Sequence, residues 1–250
     1  MNTSTPNKKA IIEIKGLIKS YGNNHVLDGF NMVLNEGENL VIMGKSGSGK
    51  SVMIKCLIGL EEHDSGTVEI MGKDISALNR EELDDLRTEV GFLFQGSALY
   101  DSMTVRENLE FPLRRNKKKF GKITDTTPLV MEALENVGLA HTINLMPEEL
   151  SGGMKRRIAL ARTLILQPKI ILYDEPTTGL DPITAKEILL LMMSIQKKYN
   201  TSAIIITHDV DCARVISNRM ILLVDGINYI EGTFEELSIS TDPKVQAFFK

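Results

Sequence analysis

The amino-acid sequence predicts an α/β protein with a mainly parallel sheet, an antiparallel β side sheet and an inserted α-helical subdomain. Apolar stretches at 40–43, 170–173 and 203–207 have the length of buried strands and alternate with helical segments. Early segments at 11–15 and 26–34 alternate apolar and polar residues, as half-exposed strands do. The stretch from 104 to 151 contains helical patterns and few strand signals, which predicts the inserted subdomain.

Local signals predict where several elements begin. An apolar helical run opens at Val52, Asn79 with Glu82 and Thr104 with Glu107 have the spacing of helix caps, and Asp181 before a proline predicts a further helix start. Residues 220–224 and 227–230 predict a terminal hairpin.

The length and amino-acid composition of the chain narrow the classes of function that it can have. The 250 residues can bury one substantial core, and 29 Lys and Arg against 33 Asp and Glu give a formal net charge of -4. No basic excess exists to hold a nucleic-acid backbone, so no nucleic-acid partner is expected. Cys56 and Cys212 lack metal-ligand spacing and indicate a reducing compartment.

No segment is expected to enter a membrane. The polar start, Met1–Lys9, lacks the apolar core of a signal peptide. The longest apolar runs, such as Ile188–Ile195, fall well below the roughly 20 residues that span a bilayer. Any membrane association is therefore expected to come through a partner.

A glycine-rich segment between a predicted strand and a predicted helix carries the strongest functional signal. Its glycines let successive N–H groups point at phosphate oxygens, and the helix N-terminus favours negative charge. In this pattern Lys50 reaches the β and γ phosphates and the Ser51 hydroxyl ligates Mg²⁺. A chance glycine turn is the alternative, but the flanking elements favour a nucleoside triphosphate site. The predicted nucleotide-binding residues are Gly44, Lys45, Ser46, Gly47, Ser48, Gly49, Lys50, Ser51 and Val52.

Two carboxylates follow the apolar strand at 170–173. Asp174 and Glu175 stand where the carboxyl end of a strand lines a crevice in open α/β sheets. We predict that Asp174 holds Mg²⁺ and that Glu175 acts as base or positioner for a water that attacks the γ phosphate.

Five further motifs match, in order, those of the ATP-binding subunits of ABC transporters. The chain therefore resembles this family over essentially its whole length, with ATP and Mg²⁺ as the implied cofactors. The matching residues are Tyr21, Gln95, Leu150-Ser151-Gly152-Gly153-Met154, Thr178-Gly179-Leu180-Asp181 and His208. Taken singly, Tyr21 could be a turn aromatic, His208 a structural cap and Ser151 an ordinary helix start.

The resemblance implies a role for each motif. Tyr21 stacks on adenine, Gln95 links metal or water to the helical subdomain, and His208 senses the γ phosphate, which makes Glu175 and His208 the implied catalytic residues. Nucleotide contacts are also implied for Ser151, Gly152, Gly153, Met154 and Asp181, and metal contacts for Ser51, Gln95 and Asp174.

The signature motif adds an oligomeric expectation. Ser151 and its glycines begin a helix whose tip can grip a γ phosphate from another subunit, which implies a head-to-tail homodimer around two ATPs. Residues 1–250 are expected to form one ABC ATPase domain, with a nucleotide-binding core at about 1–95 and 168–250 and a helical subdomain at about 96–167.

Three segments resemble a narrower group, the Mla (Mce-associated) lipid-transport ATPases of Gram-negative bacteria. They are residues 94–105, the signature that ends in Met154, and the tail at 242–248. The resemblance implies an integral permease, a periplasmic Mce-type lipid-binding protein, phospholipid movement between two membranes, and a place on the cytoplasmic face of the inner membrane. Met154 lacks the amide of the family's usual Gln, so a base or sugar contact is not expected from it.

Alternatives stay open on two points. The basic run at 114–122 is either a solvated loop or a surface that attracts anionic lipid headgroups. The chain could instead serve another transporter or a membrane-release or cell-division complex. A soluble switch acting on DNA or ribosomes is disfavoured, because neither a long coiled-coil insertion nor a second cassette is present.

Overall fold

The computed structural model describes residues 9–121 and 124–249. The chain groups into two compact units, one of residues 1–87 and 201–250 and the other of residues 88–200. The polar segment expected not to be a signal peptide lies almost wholly outside the described residues, as does Lys122 of the basic run. The expected boundaries of core and helical subdomain stay a prediction.

Parallel strands form the buried sheet of the first unit. Strand β3 (Asn39–Met43) pairs in parallel with β8 (Ser202–Ile206) on one side and β9 (Arg219–Val224) on the other. All five residues of β3 are buried, which explains its unbroken apolar pattern. The predicted terminal hairpin is confirmed, since β10 (Ile227–Gly232) pairs antiparallel with β9.

The predicted antiparallel side sheet is also confirmed. Its strands lie in the order β2 (Asn24–Asn35), β1 (Ala10–Tyr21), β4 (Ser65–Ile70) and β5 (Lys73–Asp74). Strand β1 is longer than its alternating pattern predicted. Its register shifts after Ile14 and again before Ile18, and such bulges break the two-residue alternation without ending the strand.

The helices of the first unit are α1 (Lys50–Leu57), α2 (Arg80–Thr88, ending at the unit boundary), α8 (Val210–Ile216), α9 (Phe234–Ser238) and α10 (Pro243–Phe249). Side chains cap these helices other than α1, which begins directly after the glycine loop. The predicted start of α2 is confirmed: the Asn79 N–H donates to Glu82 Oε2 at 2.9 Å, and the Glu82 N–H donates to Asn79 Oδ1 at 3.0 Å.

The second unit packs helices around one apolar core beside two parallel strands. The strands are β6 (Val90–Leu93) and β7 (Ile170–Asp174), and the helices are α3 (Val105–Arg115), α4 (Lys117–Phe120), α5 (Thr127–Asn136), α6 (Gly152–Leu164) and α7 (Pro182–Tyr199). Apolar faces of α3, α5 and α6 meet through Val105, Leu109, Leu113, Val130, Ala133, Leu134, Ile158, Ala161 and Ile165.

Two helix starts predicted from local sequence signals in the second unit are confirmed, and one predicted loop is not. The capping box of Thr104 and Glu107 is confirmed at the start of α3, and Asp181 caps α7 through the N–H groups of Ile183 and Thr184. The solvated-loop interpretation of the basic run is wrong for its described part, because Arg114 and Arg115 end α3 and residues 117–120 form α4. A helix here is stabilised by the i,i+4 pair of Arg114 with Glu110.

Within residues 9–121 and 124–249, no helix is both long and apolar enough to cross a bilayer.

One charged pair joins β2, β3 and β9 of the first unit. Glu38, only 5% exposed, precedes β3 and accepts hydrogen bonds from Arg219 Nε at 2.8 Å and from the Asn35 N–H at 2.8 Å. Burial raises the pKa of Glu38, but the hydrogen bonds from Arg219 and Asn35 outweigh that effect and leave the pKa below its ordinary 4.5. The carboxylate therefore stabilises the fold in its charged form.

Replacing Glu38→Gln is expected to lower the free energy of unfolding by about 2 kcal/mol at pH 7, because it removes the buried charged partner of Arg219 and leaves only the half-exposed Glu231. The folded-state pKa lies below the unfolded value, so this contribution is complete above the unfolded pKa and is lost as the pH falls through the folded pKa. Urea denaturation measured from pH 7 down to pH 3 tests this. A difference that does not shrink on acidification contradicts the assignment.

The exposed neighbour Glu36 provides a matched control. Its contact with Lys9 is a surface pair at 3.2 Å, with side chains 48% and 80% exposed. Glu36→Gln is therefore expected to change the free energy of unfolding by less than about 0.5 kcal/mol.

Candidate active site

The glycine loop follows β3 and leads directly into α1. Helix α1 begins at Lys50, two residues earlier than its apolar pattern indicated, so the loop's last lysine already lies in the first helical turn. Gly49 has φ +100°, and a Cβ there would lie 2.8 Å from the Val26 carbonyl oxygen. Only glycine fits this conformation and this close approach.

Lys50 is buried and folded against the loop. Its Nζ donates to the carbonyl oxygens of Gly44 at 2.7 Å and Lys45 at 2.9 Å. The ammonium is thereby held above the loop at the N-terminus of α1, where the helix dipole also favours an anion.

One buried hydroxyl in the loop indicates that a bound ligand supplies its hydrogen-bond partner. Ser48 Oγ is buried, and no hydrogen-bond partner for it exists among the described residues. A buried hydroxyl without a hydrogen-bond partner destabilises the fold unless a bound ligand supplies that partner. A phosphate oxygen can accept a hydrogen bond from such a hydroxyl. The loop therefore fits a polyphosphate.

A cavity of about 370 Å³ adjoins the loop in the first unit. Its walls are residues 45–48 of the loop, residues 24–26 of β2, residues 223–226 of the terminal hairpin and, from α10, Lys244, Ala247 and Phe248.

The parallel pairing of β3 with β8 brings His208 to the edge that carries the glycine loop. Ile42 is paired with Ile206, and the Thr207 N–H donates to the Ile42 carbonyl at 3.3 Å. His208 is exposed one residue later, while Gly44 follows the neighbouring strand end. The sequence-predicted His208 and phosphate loop are thus brought together.

The second unit repeats this arrangement with β6 and β7. Leu93 is paired with Tyr173, so Gln95 and the pair Asp174 and Glu175 follow adjacent strand ends at one edge. Gln95 is exposed and Asp174 is half-buried. The structure therefore gathers the three predicted metal-proximal and catalytic side chains of this unit.

Glu175 has a strained backbone. Its φ is +49°, in the left-handed region that a side chain with a Cβ rarely adopts. Its Oε2 accepts a hydrogen bond from Thr178 Oγ1 at 3.0 Å. Strain of this kind persists where the surrounding structure holds a residue for function, and here it orients the predicted catalytic carboxylate.

The signature and the loop before α7 line a common cavity of about 480 Å³. Ser151 caps α6, with Oγ accepting from the Met154 N–H at 3.2 Å. Gly153 lies so close to α7 that an added Cβ would be 2.7 Å from Thr184 Cγ2, whereas Gly152 faces open space. Asp181 lies on the same cavity, with its carboxylate engaged as the cap of α7.

Sequence reasoning missed Arg156. This residue is only 3% exposed, and its Nη1 donates to the Phe94 carbonyl at 2.7 Å while Nη2 lies 3.5 Å from the Thr178 carbonyl. Burial lowers its pKa, and the nearby charge of Asp174 opposes that shift. Arg156 thus links the strand end before Gln95 to the segment that holds Glu175.

The sequence does contain a pattern from which a buried, paired role for Arg156 could have been predicted. Counted along α6, it precedes the buried residues Ala159 and Leu160 by three and four positions, which places an arginine on the apolar face of the helix. A charge on a buried face is costly unless paired, so its presence indicates partners.

Comparison with protein families gives a match to the model described as ABC transporter over residues 27–178. The match covers more than half of the chain and includes the glycine loop, the signature and both carboxylates. The chain belongs to the ABC transporter family.

Curated relatives of this ABC protein carry several transport names. They include the probable ribonucleotide transport ATP-binding protein mkl of Mycobacterium leprae (40% identical, covering 95% of this chain and 68% of the relative), and the methionine import ATP-binding protein MetN of Clostridium tetani (40%, covering 86% and 67%). A third is TRIGALACTOSYLDIACYLGLYCEROL 3, chloroplastic, of Arabidopsis thaliana (38%, covering 95% and 73%). The chain thus spans about two thirds to three quarters of their lengths.

Solved structures show the same architecture. The ATP-binding cassette MJ0796, a dimer bound to ADP and Pi after hydrolysis, matches with TM-score 0.80 at 33% identity, over 89% of this chain and 98% of that one. Clostridium perfringens cbiO1, part of the transporter complex cbiONQ, matches with TM-score 0.83 at 28% identity, over 92% and 91%. The ABC ATPase fold predicted from the sequence is confirmed, and the chain is an ATPase that uses ATP and Mg²⁺.

The donor set suits Mg²⁺ bound together with nucleotide. In the described ranges, no group of three or more His, Cys, Asp or Glu forms a metal cluster. Mg²⁺ takes few protein ligands and completes its octahedron with water and phosphate oxygens. The predicted ligands, Ser51 in the first unit and Gln95 and Asp174 in the second, all offer the oxygen donors that Mg²⁺ prefers.

Replacing Tyr21→Trp tests whether residue 21 is the purine platform. The chain contains no tryptophan, so the variant carries a single tryptophan, whose emission can be excited selectively over that of the tyrosines. We expect ATP with Mg²⁺ to quench its emission, because a purine stacks on the indole, while tripolyphosphate with Mg²⁺ leaves the emission unchanged. Tyr199→Trp, at the end of α7, serves as the control and should respond to neither. Equal quenching by both ligands would count against stacking.

Replacing Arg156→Met should lower ATP turnover by about 10- to 100-fold, since small displacements of positioned groups are costly in rate. The methionine keeps volume but removes the donors to Phe94 and Thr178. Steady-state ATPase assays measure the effect, with thermal unfolding recorded in parallel. Arg114→Met, which removes an exposed arginine from α3, should retain wild-type turnover. Wild-type turnover in Arg156→Met would show that the link does not position the site.

Proposed function

We propose that this chain is the ATP-hydrolysing subunit of a transporter that moves phospholipid between the inner and outer membranes. Its partners would be an integral permease and an Mce-type lipid-binding protein, and it would sit on the cytoplasmic face of the inner membrane. The segment at 94–105, Met154 and the tail at 242–248 carry this resemblance. The relative whose name refers to trigalactosyldiacylglycerol, a lipid, agrees with it.

The loop after β6 supports permease docking. Phe94 and Tyr100 are 45% and 42% exposed, although both are aromatic. Between them Ser97 and Ala98 have positive φ, so the loop holds a strained turn. Exposed aromatic side chains on a rigid turn are typical of a docking surface.

The buried amide of Asn108 fixes that loop from beneath. Asn108 Oδ1 accepts from the Tyr100 N–H at 2.8 Å, and its Nδ2 donates to the carbonyls of Tyr100 and Met103. The loop is therefore anchored to α3, the first helix of the unit. A permease segment seated on residues 96–103 would push on α3, which packs against α6, the helix that begins at the signature.

The site residues divide the chemistry among them. Lys50 and the loop N–H groups bind the β and γ phosphates. Ser51, Asp174 and Gln95 would hold Mg²⁺, which when bound would supply positive charge to offset the negative charge of the phosphates. Glu175 orients the attacking water and accepts its proton. His208 donates a hydrogen bond to the γ phosphate, and Tyr21 supports the purine.

Two copies of the chain would complete the site. The cavity formed by Ser151, Gly152, Gly153 and Asp181 presents the N-terminus of α6, and a γ phosphate held by the glycine loop of a second copy suits it. ATP binding would close this head-to-tail dimer, and hydrolysis would reopen it and move the permease between two states. The dimer described for MJ0796 is a precedent.

Another importer of the same family is the second candidate. Relatives named for ribonucleotide transport and methionine import are as similar to this chain as the lipid-named relative. The ATPase chemistry is common to both proposals, and only the permease and its cargo differ.

Purification from detergent-solubilised membranes separates these candidates. An affinity-tagged full-length chain is isolated, and bound proteins and lipids are identified by mass spectrometry. Recovery of a permease with an Mce-type subunit and phospholipid supports the proposal. A permease recovered with a soluble substrate-binding protein and no phospholipid enrichment supports the importer, and fractionation with ribosomes or DNA contradicts both.

Replacing Glu175→Gln is expected to leave ATP affinity intact and to reduce turnover by at least about 100-fold. The carboxamide oxygen can still accept the hydrogen bond from Thr178 Oγ1, so shape is kept while the base is lost. Equilibrium ATP binding and phosphate release measure the two effects. Glu132→Gln, on the exposed face of α5, should behave as wild type. Turnover near wild type in Glu175→Gln would remove Glu175 from the mechanism.

A further inference from the structure

The ring of Tyr21 is held by a carboxylate that lies 40 residues further along the chain. The Tyr21 hydroxyl donates a short hydrogen bond to Glu61 Oε2, and Lys55 Nζ donates to Glu61 Oε1 at 2.9 Å. The hydrogen bond to Glu61 is the main reason that the pKa of Tyr21 is raised to about 12, and it also lowers the pKa of Glu61. The Tyr21 hydroxyl therefore keeps its proton and acts as the hydrogen-bond donor to Glu61.

Glu61 is itself fixed by the end of the phosphate-loop helix. Helix α1 begins at Lys50 and is followed by Gly59 at φ +66°, after which the N–H groups of Leu60 and Glu61 donate to the Lys55 carbonyl at 2.8 and 3.2 Å. This is a Schellman-type helix end, which sets the direction of the chain that leaves the helix. The position of the Glu61 carboxylate thus follows from the position of α1.

A second contact orients the ring. Lys19 lies two residues before Tyr21 on the same face of β1, and its Nζ is 5.2 Å from the ring centroid. The same ammonium is 3.6 Å from Asp64 Oδ1, and Asp64 accepts from the Ser20 N–H at 2.7 Å. One face of the ring is covered by the ammonium. The side chain is nevertheless 48% exposed, so ring surface remains on which a base can stack.

We infer that Glu61 is a positioning residue for nucleotide binding, which couples the purine platform of Tyr21 to the helix that starts at the phosphate lysine. The inference rests on the proposed role of Tyr21. A purine stacked on the free ring face and a triphosphate in the loop must lie a fixed distance apart. The link through Glu61 holds the two supports at that separation before nucleotide arrives, and such preorganisation increases affinity.

Calorimetric titration of the full-length chain tests this with two ligands, ATP with Mg²⁺ and tripolyphosphate with Mg²⁺. Glu61→Ala should raise the Kd for ATP by about three- to ten-fold, the range of one lost hydrogen bond, and leave the Kd for tripolyphosphate unchanged. Tyr21→Phe deletes only the hydroxyl and should give the same increase. The double variant should be no weaker than either single variant, because both remove the same bond.

Two further variants complete the design. Glu61→Gln keeps an oxygen that accepts from the phenol, so it should restore ATP affinity to within about two-fold of wild type. Glu62→Ala removes a carboxylate from the same turn and should bind both ligands as wild type does.

Each outcome bears on one claim. Unchanged ATP affinity in Tyr21→Phe or Glu61→Ala, additive losses in the double variant, or an equal loss for tripolyphosphate overturns the role of Glu61. If Glu61→Ala does not fold, Tyr21→Phe alone decides, since it alters no backbone or charge. Failure of ATP to quench Tyr21→Trp would instead remove the platform, and the two failures are therefore distinguishable.

Discussion

The site depends on the parallel pairing of strands. Parallel neighbours end at the same edge of a sheet, so the loops that follow them meet even when they are far apart in sequence. Pairing of Ile42 with Ile206 brings the phosphate loop to His208 in the first unit, and pairing of Leu93 with Tyr173 brings Gln95 to Asp174 and Glu175 in the second. Each pairing aligns groups more than 75 residues apart.

Around these strand ends the chain tolerates costs that its cores do not carry. Glu175 has a left-handed backbone, and Arg156 is a buried cation held by carbonyl oxygens. Each is unfavourable taken alone. Their proximity in the second unit gives a reason, because Arg156 contacts the Thr178 carbonyl and Thr178 donates to Glu175. Two such costs therefore meet at the segment that orients the Glu175 carboxylate.

In both units, the ends of helices set the positions of side chains that form the site. The start of α1 carries Lys50, its end sets the position of Glu61, and the start of α6 carries the signature serine. A helix is the stiffest local element available, so a displacement at one end reaches the other with little loss. This gives a physical route by which nucleotide contacts are communicated through the unit that binds them.

Local features of the fold could be predicted from the order of the amino acids. The phosphate loop, the caps at Asn79, Thr104 and Asp181, and the apolar parallel strands were predicted because each depends on residues within a few positions of one another. The family also followed from the sequence, since the motifs occur in a fixed order. The length of β1 was underestimated, because bulges interrupt the alternation on which a strand prediction depends.

Contacts between residues that are distant in sequence could be identified only in the folded chain. Glu61 reaches Tyr21 because β1 and the end of α1 converge, and Arg156 reaches Phe94 because α6 packs against β6. No local pattern encodes such contacts, since they depend on the packing of elements separated by 40 and 62 residues. The nucleotide-binding and catalytic residues could therefore be predicted from short-range sequence patterns. The contacts that orient those residues depend on how distant elements pack in the folded chain.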